Sequence, residues 1–321
     1  MGSFNHRFAQ PSRHASAHFD VYYPTEQFPF TDLQQTDPVT QQTAGLLDRC
    51  EKSDTVPRIF YTNTSTEYWN RSASLTHTDI AGAEDIDVHP SVRIYHFAGT
   101  QHGPADLPEG KNDLPGNPVN FRLAHRALLV ALDRWIKDGE DPPESRHSKI
   151  GDGTLVNLGK VKESWPEMSL HLPEYPRDPR RLDHGTALEV GVVTNEPPAL
   201  GERYRMLLPA VDEDGNEIAG IRLPEVAVPL GTFAGWRLRA EAMGSTWAIV
   251  GLAGSWLPFP RHPDSTDARR SVTARYKNKE DYVGQCLAVA DTLIMDRYLL
   301  TRDRERIAIR AAALYDWVVN R

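Results

Sequence analysis

Residues 57–103 read PRIFYTNTSTEYWNRSASLTHTDIAGAEDIDVHPSVRIYHFAGTQHG, and this stretch decides the fold. Pro57 to Asn63 is a short run of β-branched and aromatic residues bounded by turn formers, which predicts a strand. A polar, helix-like stretch follows from about Thr66 to Leu75. Val92 to Phe97 (VRIYHF) predicts a second strand, ending in Ala98-Gly99-Thr100-Gln101-His102-Gly103. Strands separated by a helical crossover lie parallel and adjacent. Glu67 then follows the end of one strand and His102 follows the end of its neighbour, at the carboxyl edge where α/β sheets gather their reactive groups. A carboxylate bonded to an imidazole fixes its tautomer and stabilises the imidazolium formed when the ring takes a nucleophile's proton. Acid first and histidine second is one of the chain orders in which catalytic triads occur.

Working outward, Asp37-Pro38 has the form of an N-cap followed by proline at the first helical position, predicting a helix through Leu46, Leu47 and Cys50. Asn117-Pro118 predicts the start of a stronger helix, with Leu128, Leu132, Trp135 and Ile136 on one face and Gly139 as its C-terminal stop. After Gly139 the pattern weakens. Residues 140–200 are rich in proline and charge, and Arg203 to Val228 reads as an antiparallel hairpin turning at Asp214-Gly215. Two terminal helices are marked by Val283, Leu287, Ala290 and Ile294, and by Ile307, Ala311, Leu314 and Val318. The first 35 residues carry Phe4, Phe8, Phe19, Tyr22, Tyr23, Phe28 and Phe30 without periodicity, as an arm packed on the fold would.

Composition bounds the function. Of 321 residues, 40% are hydrophobic and 25% charged, enough to bury a core. The 36 basic and 44 acidic residues give a net charge of −8 with no basic stripe, which disfavours nucleic acid as partner. No apolar run approaches the roughly 18 residues of a membrane span, so no membrane partner is expected. As written, without a signal peptide, the chain reads as a soluble cytoplasmic protein. Cys50 and Cys286 are too few for a disulfide framework or a zinc site.

PRIFYTNTSTEYWNRSASLTHTD, RIYHFAGTQHGPA, the opening GSFNHRFAQPSR and the later GIRLPEVAVPLGTFAGW together resemble a branch of the α/β-hydrolase superfamily, described as alpha/beta hydrolase domain-containing proteins. The resemblance spans nearly the whole chain. It implies an α/β fold with His102 as general base, Glu67 as the acid and Asp79 as the second candidate for that acid. It also implies ester or related acyl hydrolysis of a small-molecule ester-like substrate, without metal or organic cofactor. No G-x-S-x-G occurs, so the nucleophile elbow of such enzymes is missing. A histidine after the last strand should follow on the order of 150–250 residues of βαβ units, yet it stands at position 102. The expected organisation is therefore the C-terminal part of an α/β-hydrolase sheet over residues 1–140, parallel strands with helices, followed by an irregular α+β extension over 141–321. A sheet begun elsewhere would leave an exposed strand edge at Pro57–Asn63, open to self-association.

Other residues carry weaker signals. Ser65, Ser72, Ser74 and Ser255 have no elbow around them. His77 in SLTHTD and His6 in FNHRF are candidates to line the site, whereas His96 within a strand reads as a packed histidine. Asp212, Asp214 and Asn216 imitate a calcium loop, but Glu217 stands where that loop needs glycine and Leu223 where it needs glutamate, so a hairpin turn is expected.

Overall fold

The computed structural model describes residues 28–107, 114–176, 179–244, 246–264 and 267–320. In chain order its strands and α-helices are β1 (Gln35–Thr36), β2 (Thr43–Ala44), α1 (Asp48–Lys52), β3 (Ile59–Thr64), α2 (Ser65–Arg71), β4 (Val92–Phe97), α3 (Arg122–Asp138), β5 (Leu155–Val156), α4 (Leu158–Ser164), β6 (Arg180–Asp183), β7 (Ala199–Arg203), β8 (Leu208–Pro209), α5 (Pro224–Ala227), β9 (Gly231–Ala234), β10 (Ser255–Pro258), α6 (Val272–Arg275), α7 (Lys279–Met295) and α8 (Arg304–Val319).

β3 and β4 pair in parallel, from Ile59 opposite Val92 to Thr64 opposite Phe97. The other described sheets are antiparallel pairs: β1–β2, β5–β8, β6–β7 and β9–β10. The outer edge of β4 is covered by irregular chain. Arg146 N–H donates to Ile94 O at 2.8 Å and His96 N–H to Arg146 O at 2.9 Å. Further along, Ile221 N–H donates to His96 O at 2.6 Å and Ala98 N–H to Ile221 O at 3.2 Å. Short pieces of the C-terminal half thus complete the ladder without forming strands of their own.

The larger buried cluster unites Tyr95 and Phe97 of β4 and Leu128 of α3 with Phe233, Trp256, Cys286 of α7 and Leu314 of α8. Residues from both sides of position 140 build this one core. A second cluster packs Tyr68 and Trp69 of α2 against Leu155, Val161, Leu208 and Trp236. The indole rings of Trp69 and Trp236 lie 4.3 Å apart. Each ring removes a large apolar area from water, so α2 is held by the C-terminal half more than by its own seven residues.

Four expectations need correcting. Residues 37–50 form no continuous helix: Asp37 initiates a turn between β1 and β2, accepting Val39 N–H at 2.9 Å, and its buried carboxylate is held by Arg181. The distant arginine outweighs the local capping signal. Asn117 does not start α3, which begins at Arg122. Its amide instead donates to Gly99 O at 2.8 Å and Ala234 O at 3.0 Å, and its oxygen accepts Val119 N–H at 3.0 Å. On α3, Leu128 and Trp135 are buried and Gly139 stops the helix at φ 70°, but Ile136 is exposed. Last, the long hairpin at Asp214-Gly215 shrinks to a bridge between Val211 and Glu217, because Asn216 turns inward to bond Gly231 O and Phe233 N–H.

Asn117 joins the loop after β4 to β9, so its removal strands three buried backbone groups. Asn117→Ala is expected to lower stability by about 2–4 kcal/mol in urea titration; a loss below about 1 kcal/mol would mean that water replaces the amide.

Candidate active site

The in-register ends of β3 and β4 set the geometry. Glu67 stands three residues beyond Thr64, and His102 five beyond Phe97. Thr64 is the N-cap of α2 and Glu67 its third helical residue, so the side chain folds back over the helix start. Its Oε2 accepts Thr64 N–H at 2.8 Å and also the Thr64 hydroxyl, while Oε1 meets His102 Nδ1 at 2.6 Å. The carboxylate that caps the helix is therefore the one that meets His102.

On the histidine side the chain leaves β4 through Gly99 at φ +65°. A Cβ there would stand 3.2 Å from Val226 Cγ1, so both conformation and space favour glycine. Thr100 Oγ1 donates to Phe97 O at 2.8 Å, and Gln101 Oε1 accepts Gly254 N–H at 2.8 Å, which pins the loop just before His102. Gly235 lies against the opposite loop, where a Cβ would fall 2.5 Å from Ser65 Cβ and Thr66 N, and Thr66 Oγ1 donates to its carbonyl at 2.5 Å.

The Glu67 side chain is 13% exposed and the His102 ring 48%. Burial by itself pushes the Glu67 carboxyl up; the hydrogen bonds from His102 and Thr64 outweigh it and hold the group below the usual carboxylate range. Glu67 is thus a carboxylate at neutral pH. A carboxylate facing Nδ1 favours the tautomer that carries its proton on that nitrogen, with the basic lone pair on Nε2.

Asp79 holds its own loop instead, accepting N–H groups of Ala81, Ala83 and Glu84 at 3.2, 2.6 and 2.9 Å. His77 lines no open site. It is fully buried, its Nε2 lies 3.0 Å from the Tyr68 hydroxyl, and its ring packs 4.4 Å from that of His147. Burial, and then the neighbouring His147 and His96, hold His77 well below its ordinary value, so it stays neutral. His6 lies outside the described residues.

The four serines weighed as nucleophiles are all buried. Ser65 Oγ donates to Glu217 Oε2 at 2.7 Å, Ser74 Oγ accepts Leu207 N–H at 2.9 Å, and Ser72 and Ser255 are buried. Among the described residues, no group of three or more His, Cys, Asp or Glu side chains is placed to hold a metal ion. No described helix is long and apolar enough to cross a membrane.

A family model described as alpha/beta hydrolase domain matches residues 2–308. The chain belongs to this alpha/beta hydrolase family. No curated protein and no solved structure matches it. Two contacts around the Glu67–His102 pair escaped the sequence reading. Thr64-Ser65-Thr66-Glu67 carries the T-x-x-E spacing of a capping box, which was there to be read. Glu217, beneath the loops, is 152 residues from Ser65, and no local pattern announces it.

Two titrations separate these groups by pH. His77 binds its proton less readily folded than unfolded, so stability present above about pH 6.5 is lost as pH falls below that value. Glu67 has a depressed native value, so its contribution is present above about pH 4.5 and is lost as pH falls through the native value. Chemical denaturation across pH 3–7 is expected to show both declines in the native chain. In Glu67→Gln the lower decline flattens and the upper one stays; an unaltered acid limb would refute the depressed Glu67.

Proposed function

We propose that this chain supplies the histidine and the acid of a Ser-His-acid triad for ester or related acyl hydrolysis of a small-molecule ester-like substrate. His102 is the general base and Glu67 the acid that orients it. The observation that carries this reading is the 2.6 Å hydrogen bond between His102 Nδ1 and Glu67 Oε1 at the carboxyl ends of two parallel strands. Membership of the alpha/beta hydrolase family supports it. The nucleophile comes from outside these 321 residues, because they contain no G-x-S-x-G. In this reading residues 1–140 are the C-terminal part of the hydrolase sheet and 141–321 its α+β extension.

The test compares the 321-residue chain with the same chain fused to the sequence encoded in frame upstream of Met1. A fluorophosphonate probe is expected to leave the chain alone unlabelled and to label a serine in the added segment. Ester hydrolysis by the fusion should fall at least about 10³-fold in His102→Ala and roughly 10²–10⁴-fold in Glu67→Gln. Labelling of a serine within the 321 residues, lost on His102→Ala, would overturn the external nucleophile. Hydrolysis indifferent to His102→Ala would overturn the dyad. A fusion that neither labels nor hydrolyses would favour a degenerate hydrolase acting as a ligand- or protein-binding module.

The missing part of the sheet would sit beside β3. In a parallel ladder alternate residues bond opposite sides, and Ile59 N–H donates to Ser91 O, so Phe60 and Thr62 face away from β4. Among the described residues no strand pairs with that edge. The isolated chain should therefore self-associate with rising concentration in sedimentation velocity. Thr62→Lys, a charge at an exposed edge position, should weaken that association. A native chain that stays monomeric at every concentration would refute the open edge.

A further inference from the structure

Glu217 sits beneath the dyad and touches both of its supporting loops. Its Oε2 accepts Ser65 Oγ at 2.7 Å, from the first residue of α2, and Gly99 N–H at 2.7 Å, from the loop that leads to His102. Ser65 Oγ also accepts Thr100 N–H at 3.2 Å, closing a ring of contacts between the two loops. The side chain is 5% exposed. Beside it, His96 Nε2 stands 3.2 Å from the same oxygen but off the line of a hydrogen bond, and neither ring nitrogen of that buried histidine has a hydrogen-bond partner.

The turn that delivers Glu217 is itself anchored. Asp212 N–H donates to Asn216 O at 2.9 Å, Asp212 Oδ1 accepts the N–H groups of Asp214 and Asn216, and Asn216 bonds β9. A buried carboxylate is costly without donors. Here one oxygen collects a hydroxyl and a backbone N–H from two separate loops, so its desolvation is offset only while those loops keep their spacing. Residues 65 and 99 are two and three positions from Glu67 and His102, close enough for a shift in either to change a 2.6 Å contact.

We propose that Glu217 is a positioning residue, a clamp that holds the α2 start and the loop after β4 at the separation the His102–Glu67 hydrogen bond requires. Its catalytic consequence rests on the reading of that pair as a triad's base and acid. The clamp itself is a statement about geometry and is tested without substrate.

The measurement is the tautomer of His102, read from its imidazole ¹⁵N shifts in the folded 321-residue chain at a pH where the ring is neutral. A ring bound to Glu67 through Nδ1 carries its proton there; a ring that leaves Glu67 shifts toward the Nε2–H form. Ser65→Ala removes one arm of the clamp, and Glu217→Ala removes both. Each is expected to lower the Nδ1–H to Nε2–H ratio about tenfold, the equivalent of one ordinary hydrogen bond. Glu217→Gln keeps an amide oxygen for both donors and should retain the native ratio. If Glu217→Ala does not fold, Ser65→Ala decides. An unchanged ratio in folded Ser65→Ala overturns the clamp, as does loss of the ratio in Glu217→Gln with Ser65→Ala native-like. Failure of the triad reading appears elsewhere, as ester hydrolysis by the fusion protein that ignores His102→Ala.

Discussion

Thr64 and Phe97 end neighbouring parallel strands in register, and that alignment governs where Glu67 and His102 can meet. The peptide ladder between β3 and β4 holds the two strand ends at a spacing that side chains alone could not maintain. From there the two loops need only short reaches. One turns at once into α2, so its third residue swings back over the strand end; the other passes through a left-handed glycine. A slip of one residue in this pairing would send alternate side chains to the opposite face and take the carboxylate from the imidazole.

Burial and hydrogen bonding oppose each other at Glu67, and the balance gives it its character. Desolvation favours the neutral acid, while the donors Thr64 and His102 favour the carboxylate and prevail. His77 shows what burial does without such help: its hydrogen bond to Tyr68 carries no charge, its histidine neighbours repel a proton, and it stays neutral. Two ionisable residues ten positions apart are thereby driven to different states, one a carboxylate and one a neutral ring, by the groups around them.

The strands of the dyad, their parallel pairing and the two terminal helices were readable from residue pattern, because each is set by local periodicity and by turn formers at its ends. The meeting of Glu67 with His102 was readable for the same reason, as both follow strand ends closely. What could not be read depends on contacts between separate segments, from 15 to 144 residues apart. Asp37-Pro38 carries a sound helix-start signal, and Arg181 overrides it. Asn117-Pro118 carries another, and the carbonyls of Gly99 and Ala234 take its amide. Asn216 and Glu217 follow the turn of the expected hairpin, yet both turn into the core to satisfy backbone groups of other segments.

Those overridden signals share a direction. The C-terminal half places polar side chains where a wider sheet would place strands. Arg269, nearly fully buried, donates to Thr232 Oγ1, Leu257 O and Pro258 O and so ties β9 to β10. Asn117 ties β9 to the loop after β4, and Glu217 ties that loop to α2. Each bond is directional and requires its partner at one distance, whereas apolar packing tolerates slippage of several tenths of an ångström. Among the described residues β3 and β4 pair with no third strand, so the contact between Glu67 and His102 draws on that stricter constraint. Irregular chain with inward-facing amides and carboxylates meets the need, and it does so in segments whose sequence shows no strand or helix periodicity.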